Sequence, residues 1–172
     1  MIFISGVHGV GKSFFCEEIV RAGIEINIYS ASTLISEKKK SGFSSDKLIP
    51  NIDDNQQYLL QAVNELRATE GTFILDGHFC LLNADGQIQR IRYDTFMLLR
   101  PEVILLLTED PEIIAKRRHT RDNQNVTIEA MKKFQDVEET YAAEVAKALD
   151  SKFFICRGSA GLDKAIQFIK SC

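Results

Sequence analysis

The chain has 172 residues, of which 45% are hydrophobic and 26% charged, and its formal net charge is −3. That size suits one domain, residues 1–172, built around a single core. No basic block exceeds Lys38–Lys40 and no apolar run approaches the roughly 18 residues that span a bilayer, so neither DNA nor a membrane is an expected partner.

Cys16, Cys80, Cys156 and Cys172 show neither a CxxC pair nor metal-ligand spacing. They read as reduced thiols, and with no signal-peptide pattern at the N-terminus the expected location is cytoplasmic.

Strand-like and helical runs alternate. Ile2–Ser5 is a short apolar run stopped by Gly6, the pattern of a buried strand. A helix is predicted from Lys12, with Phe15, Cys16, Ile19 and Val20 on one face and Gly23 past its end. The alternation from Ile24 to Tyr29 predicts a second strand with one wetter face. Residues Ser30–Asp53 are the least regular and read as a substrate-side excursion. Leu59, Ala62, Val63 and Leu66 mark an amphipathic helix ending near Gly71.

Thr72–Asp76 and Val103–Thr108 are two more buried strands. Asp110 then reads as an N-cap with Pro111 at the first helical position. Met131, Phe134, Val137, Tyr141, Val145 and Ala148 define a long helix begun near Thr127. Phe153–Cys156 is the last strand, and Leu162, Ala165, Ile166 and Ile169 line a closing helix. Strands separated by helices imply βαβ units, an α/β fold whose parallel sheet is covered on both faces.

Gly6-Val7-His8-Gly9-Val10-Gly11-Lys12-Ser13 satisfies G-x-x-x-x-G-K-[ST] at every fixed position, between a buried strand and a helix. The glycines let successive N–H groups turn inward toward phosphates, and the helix N-terminus adds partial positive charge. Lys12 is expected to reach the β- and γ-phosphates and the Ser13 hydroxyl to bind Mg²⁺. The ATP site is expected to include Gly6, Gly9, Val10, Gly11, Lys12, Ser13 and Phe14. His8 occupies a variable position and is assigned no chemistry.

Thr72–Asp76 ends in an acid where the carboxyl ends of parallel strands meet, and where ligands of such sheets sit. Asp76 is therefore a candidate Mg²⁺ ligand and a candidate acceptor of a hydroxyl proton. The alternative is an aspartate that caps the turn before Gly77. His78 could bond a phosphate, orient a water, or pack at the turn.

With these segments, Asp110-Pro111 and the pair Arg117-x-x-x-Arg121, the chain resembles the adenylate-kinase-like nucleoside monophosphate kinases over nearly its whole length. The resemblance implies a P-loop fold, a five-stranded parallel sheet in the order 2-3-1-4-5, an acceptor side over about 30–70 and a short lid over about 117–127. It implies that Arg117 stacks on adenine, that Arg121 contacts phosphates, and that backbone at Gly158 and Ala160 contacts the base. Guanidinium groups there would bracket charge on a transferring phosphoryl group; a solvated basic helix end is the alternative.

Two departures concern the acceptor. Ser30–Ser36 contains no arginine, and Asp76-Gly77-His78-Phe79-Cys80 stands where the family carries Asp-Gly-x-Pro-Arg. Lys38–Lys40, Lys47, Arg90 and Arg92 are the substitutes on offer. The expectation is an ATP- and Mg²⁺-dependent phosphotransferase whose catalytic residues are Lys12, Asp76, Arg117 and Arg121. Its acceptor would be a small molecule, a nucleotide or nucleoside foremost, with a non-nucleotide metabolite also open. The alternative is a nucleotide-controlled switch or slow ATPase acting on a protein or RNA partner.

Overall fold

The computed structural model describes residues 1–40, 52–83, 85–123 and 125–172. Seven strands and seven helices follow one another along these residues, with a 3₁₀ turn at Ser159–Gly161 before the last helix.

The five main strands are β1 (Ile2–Ser5), β2 (Asn27–Ser30), β3 (Phe73–Asp76), β6 (Val103–Thr108) and β7 (Lys152–Arg157). They form one parallel sheet in the order β2-β3-β1-β6-β7. Counted within that sheet the order is 2-3-1-4-5, as the resemblance implies. β1 and β6 are buried along their whole length, and their Ile, Leu, Val and Phe side chains are the centre of the core. Such runs leave no wet face, so helices must cover both sides of the sheet.

Register then fixes what meets at the carboxyl edge. Ile4 pairs with Asp76, Ser30 with Asp76 and Ser5 with Leu106, while Thr108 pairs with Arg157. The loops leaving all five strands therefore gather along one edge.

Helix α1 (Lys12–Arg21) follows β1 directly, and Gly11 is its N-cap residue. Asp110 caps α5 (Pro111–Asp122), its side chain accepting from Glu112 N at 2.8 Å. Thr127 caps α6 (Ile128–Leu149), accepting from Ala130 N at 3.1 Å. Helix α3 is Ile52–Thr69, and α7 (Leu162–Lys170) closes the chain. Among the described residues no helix is long and apolar enough to cross a membrane.

Three features differ from the sequence reading. The second strand begins at Asn27 rather than Ile24: Ile24 N bonds back to Ile19 O and Ile26 N to Ile24 O, so that backbone is used locally. The front of the irregular excursion is a helix, α2 (Ala31–Lys40), anchored by Leu34 and ending in three lysines, which suits its C-terminal dipole. Residues 41–51, Lys47 among them, lie outside the described residues.

Between β3 and β6 the chain also forms a two-stranded hairpin, β4 (Cys80–Leu82) with β5 (Ile88–Arg90), and the short helix α4 (Tyr93–Leu99). Asn83 Oδ1 accepts from Asp85 N and Gln87 N to hold the hairpin turn. The Arg67 guanidinium donates to the carbonyls of Leu98, Leu99 and Arg100 and so caps the end of α4.

Candidate active site

The loop from Gly6 to Gly11 leaves β1 and opens into α1. Gly6 adopts φ +148°, and a Cβ there would stand 2.6 Å from the Leu107 carbonyl oxygen. No side chain fits, which is how β6 comes to lie so close behind the loop.

Lys12 begins the helix and turns back over the loop. Its Nζ donates to Gly6 O at 2.8 Å, stands 3.5 Å from His78 Nε2 and 3.9 Å from Asp76 Oδ1. Burial lowers the Lys12 pKa, while Asp76 and then Glu138 oppose that shift. Asp76, at the end of β3, has its carboxyl pKa raised by burial, against the pull of Lys12. Its Oδ1 is buried without a hydrogen-bond partner. Ser13 is exposed at the mouth of the same cleft. An orphaned carboxylate oxygen and a hydroxyl are oxygen donors of the kind Mg²⁺ takes alongside nucleotide phosphates, so these residues fit that ion.

On the nucleotide side, Arg117 of α5 donates from Nη1 to Val10 O at 2.9 Å and from Nη2 to Glu109 Oε2 at 3.2 Å. The Glu109 backbone is held by Gln135 of α6, its N–H donating to Gln135 Oε1 and its carbonyl oxygen accepting from Gln135 Nε2, each at 2.9 Å. Glu109 Oε1 lies 3.0 Å from where a Cβ on Gly158 would stand, so the loop after β7 passes close to this carboxylate.

One cleft of about 1480 Å³ joins these parts. Gly9 through Phe15 form its floor, with Arg117, Arg121, Gly158 and Ser159 on one side. On the other side stand Ser30, Ser32, Ser36 and Lys39, with Asn55 and Gln56 of α3; Asp76 and His78 lie between.

Most of the sequence-predicted residues therefore meet. Gly9, Val10, Gly11, Lys12, Ser13, Phe14, Asp76, Arg117, Arg121 and Gly158 line the cleft, and Gly6 underlies it. Ala160 is exposed and outside the lining. Of the offered acceptor cations, Lys39 lines the cleft. Lys38 pairs with Glu65 of α3 and does not. Arg90 pairs with Glu144 at 2.8 Å over the Tyr141 ring, and Arg92 with Asp94, both outside it. Arg118 is buried, its Nη1 3.9 Å from Met131 Sδ between α5 and α6.

Two groups escaped the sequence reading. Glu138 of α6 is 1% exposed. It accepts from the Ser5 hydroxyl, from Phe79 N at 2.9 Å and from Cys80 N at 2.6 Å. Its pKa is raised by burial against those hydrogen bonds. A signal existed: Phe134, Glu138, Tyr141 and Val145 fall at four- and three-residue steps, so the acid sits on the apolar stripe. The second is His8, whose ring packs on His78 with centroids 4.2 Å apart. No signal placed them together.

Residues 5–135 match the family model described as an AAA domain. The chain belongs to this family, a P-loop domain. No curated protein matches it in sequence. Its fold is that of P-loop small-molecule kinases. A gluconokinase from Sinorhizobium meliloti 1021 is 17% identical with a TM-score of 0.52, over 99% of this chain and 95% of that one. A shikimate kinase from Bacteroides thetaiotaomicron is 14% identical with a TM-score of 0.56, over 99% and 96%. A sugar kinase from Janibacter sp. HTCC2649 is 14% identical with a TM-score of 0.55, over 99% and 91%.

Proposed function

We propose that this AAA-domain protein is an ATP-dependent kinase that transfers the γ-phosphoryl group of ATP to a hydroxyl of a small acceptor. The observation that carries this reading is the continuous cleft in which Asp76 stands between the phosphate loop and the α2 side. A nucleotide switch needs no cleft space beyond its phosphate loop, toward α2 and α3. The fold shared with solved small-molecule kinases supports the same reading.

In this mechanism the phosphate loop cradles the triphosphate and Lys12, beside Gly6 O, bonds the terminal phosphates. Mg²⁺, held by Ser13 and Asp76 directly or through water, would neutralise charge on the phosphates. Arg117 and Arg121 bracket the charge that spreads over the phosphoryl group during transfer. The acceptor oxygen attacks the γ-phosphorus, the bond to the β,γ-bridging oxygen breaks, and ADP leaves. Asp76 accepts the hydroxyl proton of the acceptor.

Nucleosides and nucleoside monophosphates are the first acceptors to test, followed by hydroxylated acids and sugars. The experiment measures ADP release and phosphorylated product with each class, beside Lys12→Ala. Acceptor-dependent product is the expected outcome. Acceptor-independent phosphate release at an unchanged rate with every acceptor would overturn the kinase in favour of an ATPase.

A further inference from the structure

The loop after Asp76 brings His78 into the cleft beside Lys12, and His8 of the phosphate loop packs over its ring. The 3.5 Å between Lys12 Nζ and His78 Nε2 is the outer limit of a direct hydrogen bond. Two donors that share one acceptor oxygen, each about 2.9 Å from it, stand roughly 3.5–5 Å apart. The observed spacing falls at the near end of that range.

The other ring nitrogen sharpens the point. His78 Nδ1 is buried and has no hydrogen-bond partner. A neutral imidazole carries one N–H and one lone pair. If Nε2 accepts from Lys12, the N–H on Nδ1 is buried with nothing to receive it. If instead Nε2 carries the proton, it faces the Lys12 ammonium donor to donor. An anionic oxygen lying between Nζ and Nε2 resolves the second case by adding an acceptor beside Gly6 O, which already takes Lys12 at 2.8 Å and is also a hydrogen-bond partner of His78.

We propose that His78, braced by the ring of His8, binds the terminal phosphoryl group of the nucleoside triphosphate together with Lys12. The inference rests on the nucleotide-binding half of the proposed function and deepens it. It gives an imidazole pair a task on the acceptor-facing side of Lys12, where Arg90 and Arg92 do not reach.

The test compares affinity for the β,γ-imido analogue of ATP with affinity for ADP, by titration calorimetry with Mg²⁺ present. His78→Ala should weaken the analogue on the order of tenfold while ADP changes less than twofold. Restoring a donor of similar reach, His78→Gln should recover part of that loss. His8→Ala should lose several-fold, again for the analogue alone. Equal losses for both ligands, or no loss for either, would overturn the contact and leave a packing role. Should His78→Ala fail to fold, His78→Gln and His8→Ala decide: an unchanged analogue-to-ADP ratio in both overturns the proposal. Absence of acceptor-dependent turnover in the wild type would sink the kinase reading alone, because the affinity ratio needs no acceptor. Failure of the wild type to bind either nucleotide would sink both.

Discussion

The Ser5 hydroxyl donates to the carboxylate of Glu138, joining the last residue of β1 to the middle of α6. The same carboxylate receives Phe79 N and Cys80 N, so one buried acid holds the start of the phosphate loop and the segment after Asp76 in fixed relation. Glu138→Ala leaves two backbone N–H groups and a hydroxyl buried without partners, and should destabilise the fold by about 3 kcal/mol. Glu138→Gln keeps one acceptor oxygen but turns an NH₂ toward a donor, and should cost about 2 kcal/mol. Urea unfolding checks both; a loss under about 0.5 kcal/mol in Glu138→Ala would mean that water replaces the carboxylate.

Glu138 also makes a pH-dependent contribution. Its folded pKa is raised above the ordinary 4.5, so the folded chain keeps this proton to a higher pH than the unfolded chain does. The contribution is therefore fully present below 4.5 and is lost as pH rises through the folded value. Glutamine does not titrate. The stability advantage of wild type over Glu138→Gln should thus be larger at about pH 5 than at about pH 8. An advantage that grows toward pH 8 would contradict the sign, and would mean that the three hydrogen bonds and Lys12 outweigh burial.

Gly77 is constrained by an aromatic ring rather than by its own dihedral. A Cβ there would stand 2.8 Å from two ring atoms of Phe3. That ring meets Phe79 at 5.2 Å and Phe96 at 5.8 Å, both edge-on, so it has little room to withdraw. Gly77→Ala should cost about 2 kcal/mol through overpacking and should lower turnover by shifting Asp76 and His78 on either side. Denaturant midpoints and turnover, measured together, separate the two effects. Wild-type values in both would show that the Phe3 ring yields.

These effects trace to residues of very different legibility. The phosphate loop could be read directly because its glycine and lysine spacing specifies a backbone path. The parallel strands were legible because runs such as Ile104–Leu107 are buried on both faces and carry no alternation. By contrast, the clean alternation of Ile24–Tyr29 overstated β2, since a strand extends only as far as its neighbour offers partners and β3 has four residues. Helix α2 was hidden in serine and lysine, with Leu34 its one buried apolar residue. Hairpin β4–β5 has strands of three residues, too short for any period to show. His8 and His78 come from separate loops, and the fold alone sets them ring to ring.

Lys12 and Asp76 should separate chemistry from binding. Lys12→Ala removes the ammonium that stands 2.8 Å from Gly6 O and within 3.9 Å of Asp76. Losing one such preorganised charge should cut turnover by about 10²–10³. Asp76→Asn should cut it comparably while ADP affinity changes only a few-fold, because the amide neither takes up a proton nor binds a cation as well. Steady-state rates beside calorimetric ADP affinities give the split. Wild-type turnover in Asp76→Asn would remove that residue from the mechanism.

Arg117 is held in the structure by the two groups that a bound nucleotide would compete with or exploit. Its Nη1 bonds Val10 O and its Nη2 bonds the carboxylate of Glu109, whose backbone Gln135 holds and whose Oε1 Gly158 passes closely. If Arg117 lies against the base, as a guanidinium plane on an aromatic face does, Arg117→Ala should weaken ATP and ADP equally, by roughly tenfold. Arg117→Lys should not restore it, since an ammonium supplies charge without a stacking plane. Glu109→Gln loosens the guanidinium without removing it and should cost about threefold in the same titration. A loss confined to ATP would instead place Arg117 on the γ-phosphoryl group. The stacking role would then be wrong, and Arg117 would act on the transferring charge beside Arg121.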